Sequence, residues 1–148
     1  MYIEMATSAD IPALSALLSQ LFSQEAEFAP DDAAQSRGLG RIIDDPESGA
    51  ILLARNAEQV VGMVNLLFTI STALGETVAL LEDMVVSEAE RGAGVGTQLL
   101  TAAISVARAH GCKRITLLTD RGNEAAQRFY RKQGFVLSGM IPMRLSLE

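Results

Sequence analysis

The chain has 148 residues, 49% of them hydrophobic, with 12 basic and 18 acidic residues and a formal net charge of -6. This is most simply one domain over 1–148, apolar enough to bury a core, and the acidic balance argues against non-specific nucleic-acid binding, which needs clustered Lys and Arg. A single cysteine, Cys112, excludes an internal disulfide and suits a reducing, cytoplasmic setting; MYIEMATSAD lacks the basic-then-apolar order of a signal peptide, and no apolar run reaches the length of a membrane span.

Tyr2 to Ala6 alternates and predicts an edge strand. Ser8 or Asp10 can cap a helix over about 10–24, with Pro12 tolerated in its first turn and Leu14, Leu17, Leu18, Leu21 and Phe22 at three- and four-residue spacing. A loop over 24–30 precedes a second helix over 31–43, weakened by Gly38 and Gly40. After the turn cluster 45–49, strands are expected over 50–55 and 60–70, joined as a hairpin through Asn56-Ala57-Glu58-Gln59. The nearly continuous apolar run 77–86 fits a strand at the sheet centre.

Gly94 to His110 has Leu99, Ala103 and Val106 on one face and reads as a core-facing helix stopped by Gly111. A strand over 114–119 follows, then a helix capped by Asn123, running to about Gln133 and ended by Gly134. Phe135–Ser138 and Ile141–Leu147 would make a final hairpin. The order β-α-α-β-β-β-α-β-α-β-β predicts an α/β fold with a mixed, mostly antiparallel sheet and helices on both faces. Strands 78–86 and 114–119 flank a helix and should run parallel.

The densest signal is LLEDMVVSEAERGAGVGTQLL, residues 80–100. An apolar strand carries adjacent acids, Glu82 and Asp83, and leads through Arg91-Gly92-Ala93-Gly94-Val95-Gly96 into a helix. Glycines let successive backbone N–H groups converge, and a helix N-terminus adds partial positive charge, so this is a way to build an anion site for a phosphate-bearing cofactor. It is not G-x-G-x-x-G, since Leu99 stands where a third glycine would be, and no Gly-Lys-Ser/Thr follows as in a P-loop. Tight strand–helix packing alone would also explain the glycines.

Arg91-x-x-Gly94-x-Gly96 resembles the acyl-CoA pyrophosphate loop of the GNAT superfamily of N-acetyltransferases. LEDMVV lies directly upstream, where the family has its central splayed strand. Downstream, Asn123-Glu124-Ala125-Ala126-Gln127-Arg128-Phe129-Tyr130 followed by Gly134-Phe135 looks like the family's Asn-x-x-Ala-x-x-Phe-Tyr…Gly-Phe signature. These features cover roughly residues 78–136 and occur in the family order. The resemblance implies the GNAT fold, acetyl-CoA as co-substrate and transfer to a primary amine by direct attack. It implies cofactor contacts from the main chain of Met84, Val85 and Val86, from Arg91, Gly92, Ala93, Gly94, Val95, Gly96 and Thr97, and from Asn123. It implies Tyr130 as a further cofactor contact and as the general acid for the CoA thiolate.

Glu82 is the candidate base, acting through water. A carboxylate in so apolar a strand is costly without a partner or a task. Strict alternation would keep Glu82 and Asp83 on opposite faces, with Glu82 beside Met84 and Val86. A buried acid paired to backbone or arginine is the bland alternative, as a core aromatic is for Tyr130 and a simple helix cap for Asn123. His110 suits a helix C-terminus structurally, Cys112 makes a poor dyad with it, and no His, Cys, Asp and Glu cluster has metal-ligand spacing, so no metal is expected. The expected partner is a small-molecule or peptide amine, with no nucleic acid and no membrane, and homodimerisation stays open. The acids Glu25, Glu27, Asp31, Asp32, Asp44, Asp45 and Glu47 suit a cationic acceptor or a solvated face. The competing reading is a non-catalytic acyl-CoA-binding regulatory module of the same fold.

Overall fold

The computed structural model describes residues 1–25 and 27–148. They fall into two compact units, Met1–Leu118 and Thr119–Glu148. The loop expected over 24–30 contains Ala26, which lies outside the described residues.

The first unit holds one five-stranded sheet in the order β1 (Tyr2–Met5), β2 (Gly49–Asn56), β3 (Gln59–Ser71), β4 (Glu76–Val86), β5 (Ile115–Leu117). The first three pairings are antiparallel, and β4 with β5 is parallel, as expected of strands flanking a helix. Between β1 and β2 lie α1 (Ile11–Gln24) and α2 (Asp32–Ile43); between β4 and β5 lies α3 (Val95–Ala109). This is the mixed α/β architecture expected from the element order. Among the described residues no helix is long and apolar enough to cross a membrane.

Local chemistry sets the helix ends. Asp10 accepts the Thr7 backbone N–H at 2.9 Å, closing a short turn into α1. Asp31 accepts from Ala34 N at 3.1 Å and starts α2. Gly38 and Gly40 do not break α2, because packing overrides propensity: Leu39 between them is 2% exposed in the core. A buried polar clamp joins α1 to α2. The Gln35 Nε2 donates to Ser15 O, Ser15 Oγ and Ser19 Oγ at 3.0–3.1 Å, and Ser15 Oγ donates to Asp32 at 2.6 Å.

Alternation along the strands divides the core. Leu14, Leu17 and Leu18 of α1 and Leu39 of α2 cluster with Ile51, Leu53, Met63 and Val85 on one sheet face. Gly62, of opposite parity, faces α3. A Cβ there would lie 2.9 Å from Leu99 and 3.3 Å from Val95, so glycine lets α3 settle close to the strand.

In the second unit α4 (Glu124–Lys132) is the regular element. Asn123 caps it, accepting from Ala126 N at 3.1 Å. It ends with Gly134 N donating to Arg131 O at 3.0 Å and Phe135 N donating to Tyr130 O at 3.1 Å, a Schellman closure. The expected final hairpin is not formed within this unit: residues 135–148 carry no strand. Two such short segments make a marginal ribbon on their own, and Pro142 removes a ladder donor from one of them.

Candidate functional site

The centre of interest is an irregularity in β4. Asn65 of β3 stands opposite Asp83, but the next residue, Leu66, stands opposite Leu81. Glu82 is the extra residue of a β-bulge. The bulge overturns the alternation argument made from sequence. Glu82 and Asp83 line the same groove, and Glu82 does not share the face of Met84 and Val86. An inserted residue resets strand parity, so two neighbouring side chains can lean to one side.

That groove has a volume of about 300 Å³ and opens to solvent. Leu18 and Phe22 of α1, Leu39 and Ile42 of α2, and Leu67 of β3 give it apolar walls; Glu82, Asp83 and Asn65, neighbours at the bulge, add polar lining. Glu82 is exposed, whereas Asp83 is half-buried. Burial, with the nearby charges of Glu82 and Glu25, pushes the Asp83 carboxyl up to about 7, although a hydrogen bond from Asn65 pulls the other way. Asn65 Nδ2 donates to Asp83 Oδ2 at 2.8 Å. Asn65 is 4% exposed, and its Oδ1 has no hydrogen-bond partner among the described residues. Sequence reasoning missed Asn65 and passed over Asp83. The available signal was a single amide inside the apolar run of β3, which must find partners once buried.

Beyond the bulge, among the described residues, β4 has no strand partner on its β5 side. Its parallel ladder with β5 ends at Leu81 opposite Leu117. Ser87 N donates to Val61 O at 2.8 Å, which sets the antiparallel phase: Val85 faces β3 with its peptide groups, while those of Met84 and Val86 turn to the open edge. Arg91 Nε donates to Val86 O at 3.2 Å, and Arg91 Nη1 lies 3.9 Å from Glu88, so its charge folds back against the strand end.

The loop that follows is a shallow backbone nest. Gly92 and Gly94 both take positive φ, 86° and 83°, conformations that carry a steric cost for any residue with a Cβ. Ala93 N is committed to Glu90 O at 3.3 Å. Gln98 N donates to Gly94 O at 3.1 Å and opens the regular ladder of α3. The N–H groups of Gly94, Val95, Gly96 and Thr97 precede that ladder and make no hydrogen bond among the described residues. The Val95 side chain is buried, so Val95 offers backbone alone. Main-chain donors at a helix N-terminus, beside an open strand edge, are the chemistry of an anionic ligand with an amide-bearing arm.

In the second unit Tyr130 packs edge-on against Phe129 and Phe135, with ring centroids 5.2 and 5.6 Å away. Its hydroxyl makes no hydrogen bond among the described residues, and burial pushes the phenol up to about 12. It is therefore protonated at neutral pH, as a proton donor must be. Asn123 spends its Oδ1 as the helix cap and keeps its amide N–H groups.

The remaining residues singled out in the sequence are structural in their geometry. His110 caps α3, stacks on Phe68 at 4.2 Å, and places Nδ1 3.1 Å from Val106 O. Burial pushes the Cys112 thiol up, the wrong direction for a nucleophile. Among the described residues no group of three or more His, Cys, Asp and Glu could hold a metal ion.

The Acetyltransferase (GNAT) family model matches residues 12–135. The chain is 31% identical over 124 residues to the N-acetyltransferase YhfO of Bacillus subtilis (strain 168), covering 82% of this chain and 83% of that protein. It is 30% identical over 130 residues to the aminoalkylphosphonate N-acetyltransferase of Salmonella typhimurium (strain LT2), covering 88% and 81%. Among solved structures, integron cassette protein HFX_CASS3 from the mobile metagenome of Cole Harbour Salt Marsh superposes with a TM-score of 0.86 at 25% identity, covering 99% of this chain and 90% of that one. The chain belongs to the GNAT acetyltransferase family and is an acyltransferase.

Proposed function

We propose that this acyltransferase moves an acetyl group from acetyl-CoA directly to the primary amine of a small-molecule or peptide acceptor. One observation carries the reading: the open edge of β4 runs into a two-glycine turn whose backbone N–H groups are uncommitted. The residues present fit acetyl-CoA. The N–H groups of Gly94, Val95, Gly96 and Thr97 suit a pyrophosphate, with Gly92 and Ala93 shaping the turn and Arg91 adding charge once it leaves Val86. The peptide groups of Met84 and Val86, spaced by Val85, suit the amide-bearing pantetheine arm. Asn123 keeps an amide donor for the same ligand. Bound acetyl-CoA supplies a thioester activated for acyl transfer.

The chain's own groups then handle protons. Glu82, exposed at the groove, takes the proton of the incoming amine through water. Tyr130 holds its proton at neutral pH and gives it to the departing sulfur. The half-buried Cys112, whose thiol is pushed up rather than down, supports direct transfer without an acyl-enzyme, and a lone cysteine suits a cytoplasmic enzyme. The Salmonella relative, named for an aminoalkylphosphonate, is consistent with a small-molecule amine acceptor.

The test is a thermal-shift comparison of acetyl-CoA, CoA, ATP and NAD, followed by CoA release over an amine panel. Stabilisation by the CoA species alone is expected. A shift with ATP and none with CoA would refute the assignment, and acetyl-CoA binding without turnover on any amine would favour the regulatory module.

A further inference from the structure

The groove between α1, α2 and the β3–β4 bulge is more than a gap beside the strand. Its walls are mostly apolar side chains from three elements; among the described residues that line it the carboxylates are Glu82 and Asp83, neighbours at the bulge, and none is Lys, Arg or His. Such a site offers negative charge at the bulge, hydrocarbon on its walls and no counter-charge for an anion. We infer that the groove receives the acceptor, and that the acceptor is a primary amine on an uncharged, apolar body, such as an alkyl- or arylalkylamine, with its amino head at Glu82 and Asp83. This rests on the acetyl-transfer reading, and it restricts the acceptor to one class of amine.

Three observations support the choice. First, about 300 Å³ matches a small organic body, at the lower end of ordinary ligand pockets. Second, the bulge places both acids beside the first open-edge residue of β4, Met84, so an amine held there meets the strand along which a pantetheine arm would run. Third, Asn65 lines the groove beside Asp83, and its Oδ1, closed to solvent in this structure, lacks a donor among the described residues. A native protein seldom leaves such an atom unpaired without a reason, and an amine N–H is the kind of donor it lacks.

The groups around the head are Glu82 on the same strand, Asn65 on β3, Glu25 beyond the end of α1, and the uncharged Gln35 on α2. Burial first, and then the charges of Glu82 and Glu25, hold Asp83 partly protonated near neutrality. An ammonium between them relieves that repulsion and favours the carboxylate. An amine whose other end carries a carboxylate or phosphonate would have to desolvate that charge against hydrocarbon, with no cation among the described lining residues to receive it.

The experiment has two arms, both on the full chain. In the first, phenethylamine, hexylamine, alanine and 2-aminoethylphosphonate are compared as acceptors by CoA release. The uncharged-body amines should have kcat/KM roughly tenfold higher or more, the factor corresponding to 1.4 kcal/mol. In the second, phenethylamine binding is measured by calorimetry with CoA present and with it absent, so the result does not depend on turnover. Binding to the native chain is expected. Asp83→Asn, which keeps shape and removes charge, and Ala34→Trp, which fills the groove from α2, should each weaken it at least roughly tenfold. Acetyl-CoA stabilisation should be unchanged in both variants. Preference for the anionic amines, or phenethylamine affinity unaltered in both folded variants, would overturn the inference while leaving acetyl transfer standing. Failure of acetyl-CoA to bind the native chain would instead remove the acetyl-transfer reading.

Discussion

Asn65 and Asp83 face each other across the β3–β4 ladder, and the amide of one donates to the carboxylate of the other at 2.8 Å. The bond is one-sided. Asn65 gives Asp83 one donor, its Nδ2, so an ionised Asp83 is satisfied only in part; Asn65 Oδ1, an acceptor, has no partner among the described residues. Burial and the charges of Glu82 and Glu25 outweigh it and hold the carboxyl up at about 7. An acid kept near neutrality inside an enzyme is a group positioned either for proton chemistry or for a cationic guest.

Asp83 therefore costs stability as pH rises. Its folded value of about 7 exceeds the ordinary 3.8, so between those values the native state binds more protons than the unfolded one, and stability falls with increasing pH. No cost applies below about 4 and the whole cost applies above about 7. Asp83→Asn removes the titrating group. Its melting temperature at pH 8 should exceed the native one, by an amount on the order of a few kcal/mol of stability, and the difference should vanish at pH 4. Equal melting temperatures at pH 8 would show that Asp83 is not held as an unfavourable buried charge.

Most of the first unit was legible in the sequence because its signals are local. The spacing of Leu14, Leu17 and Leu18 gives α1 and Gly111 stops α3; in the second unit Asn123 caps α4 and Gly134 ends it. The bulge was not legible. A period-two rule applied to an unbroken apolar strand has no term for an inserted residue, and Glu82 looks the same with or without it. Asn65 was hidden for a related reason, since only its position opposite Asp83 gives it meaning. The final hairpin failed differently: alternation is present only over 141–147, and pattern alone does not pair two short strands.

The glycine turn makes a sharper claim on cofactor affinity. Gly94 sits at φ 83° with open space around its missing Cβ, so conformation and not crowding requires glycine there. A β-branched residue should pull the turn out of the left-handed region and misalign the N–H groups of Gly94, Val95, Gly96 and Thr97. Gly94→Val is expected to weaken acetyl-CoA binding at least roughly tenfold with the fold retained. Arg91→Ala should do less, because in this structure its guanidinium binds Val86 O and approaches Glu88. Unchanged acetyl-CoA affinity in folded Gly94→Val would remove the loop from the cofactor site.

A second strained turn lies away from the site. Ala57 and Glu58, at φ 50° and 72°, form the two-residue connection between β2 and β3, with Asn56 paired to Gln59. This is the type I′ geometry, for which Asn-Gly is preferred. Each left-handed non-glycine residue costs about 1–2 kcal/mol, and a new glycine returns part of the gain as unfolded-state entropy. Glu58→Gly, alone or with Ala57→Asn, should stabilise the chain by roughly 0.5–1 kcal/mol and leave acetyl transfer unchanged. Arg55 contacts only the carbonyl of Glu58, which the substitution keeps. Denaturant midpoints measure the gain, and a lower midpoint would mean that the Glu58 side chain contributes more than its backbone strain costs.

The two proposed proton-handling residues separate by their pH profiles. Tyr130 is held as a neutral phenol by burial alone, with no protein partner for its hydroxyl among the described residues. If it protonates the leaving sulfur, Tyr130→Phe preserves the ring packing with Phe129 and Phe135 and removes only the proton donor. Turnover should fall about 10²- to 10⁴-fold, with acetyl-CoA affinity nearly intact. Glu82 acts at the other end of the reaction. Glu82→Gln should slow turnover most below the pKa of the amine and recover as pH rises, because an amine already neutral needs no base. It also removes one of the charges that raise Asp83, so any acidic limb due to Asp83 should move to lower pH in this variant. Turnover against pH for the native chain, Tyr130→Phe and Glu82→Gln distinguishes these roles. A Tyr130→Phe rate equal to the native one would take the phenol out of the mechanism, and a Glu82→Gln profile of unaltered shape would leave Glu82 as a groove wall and no more.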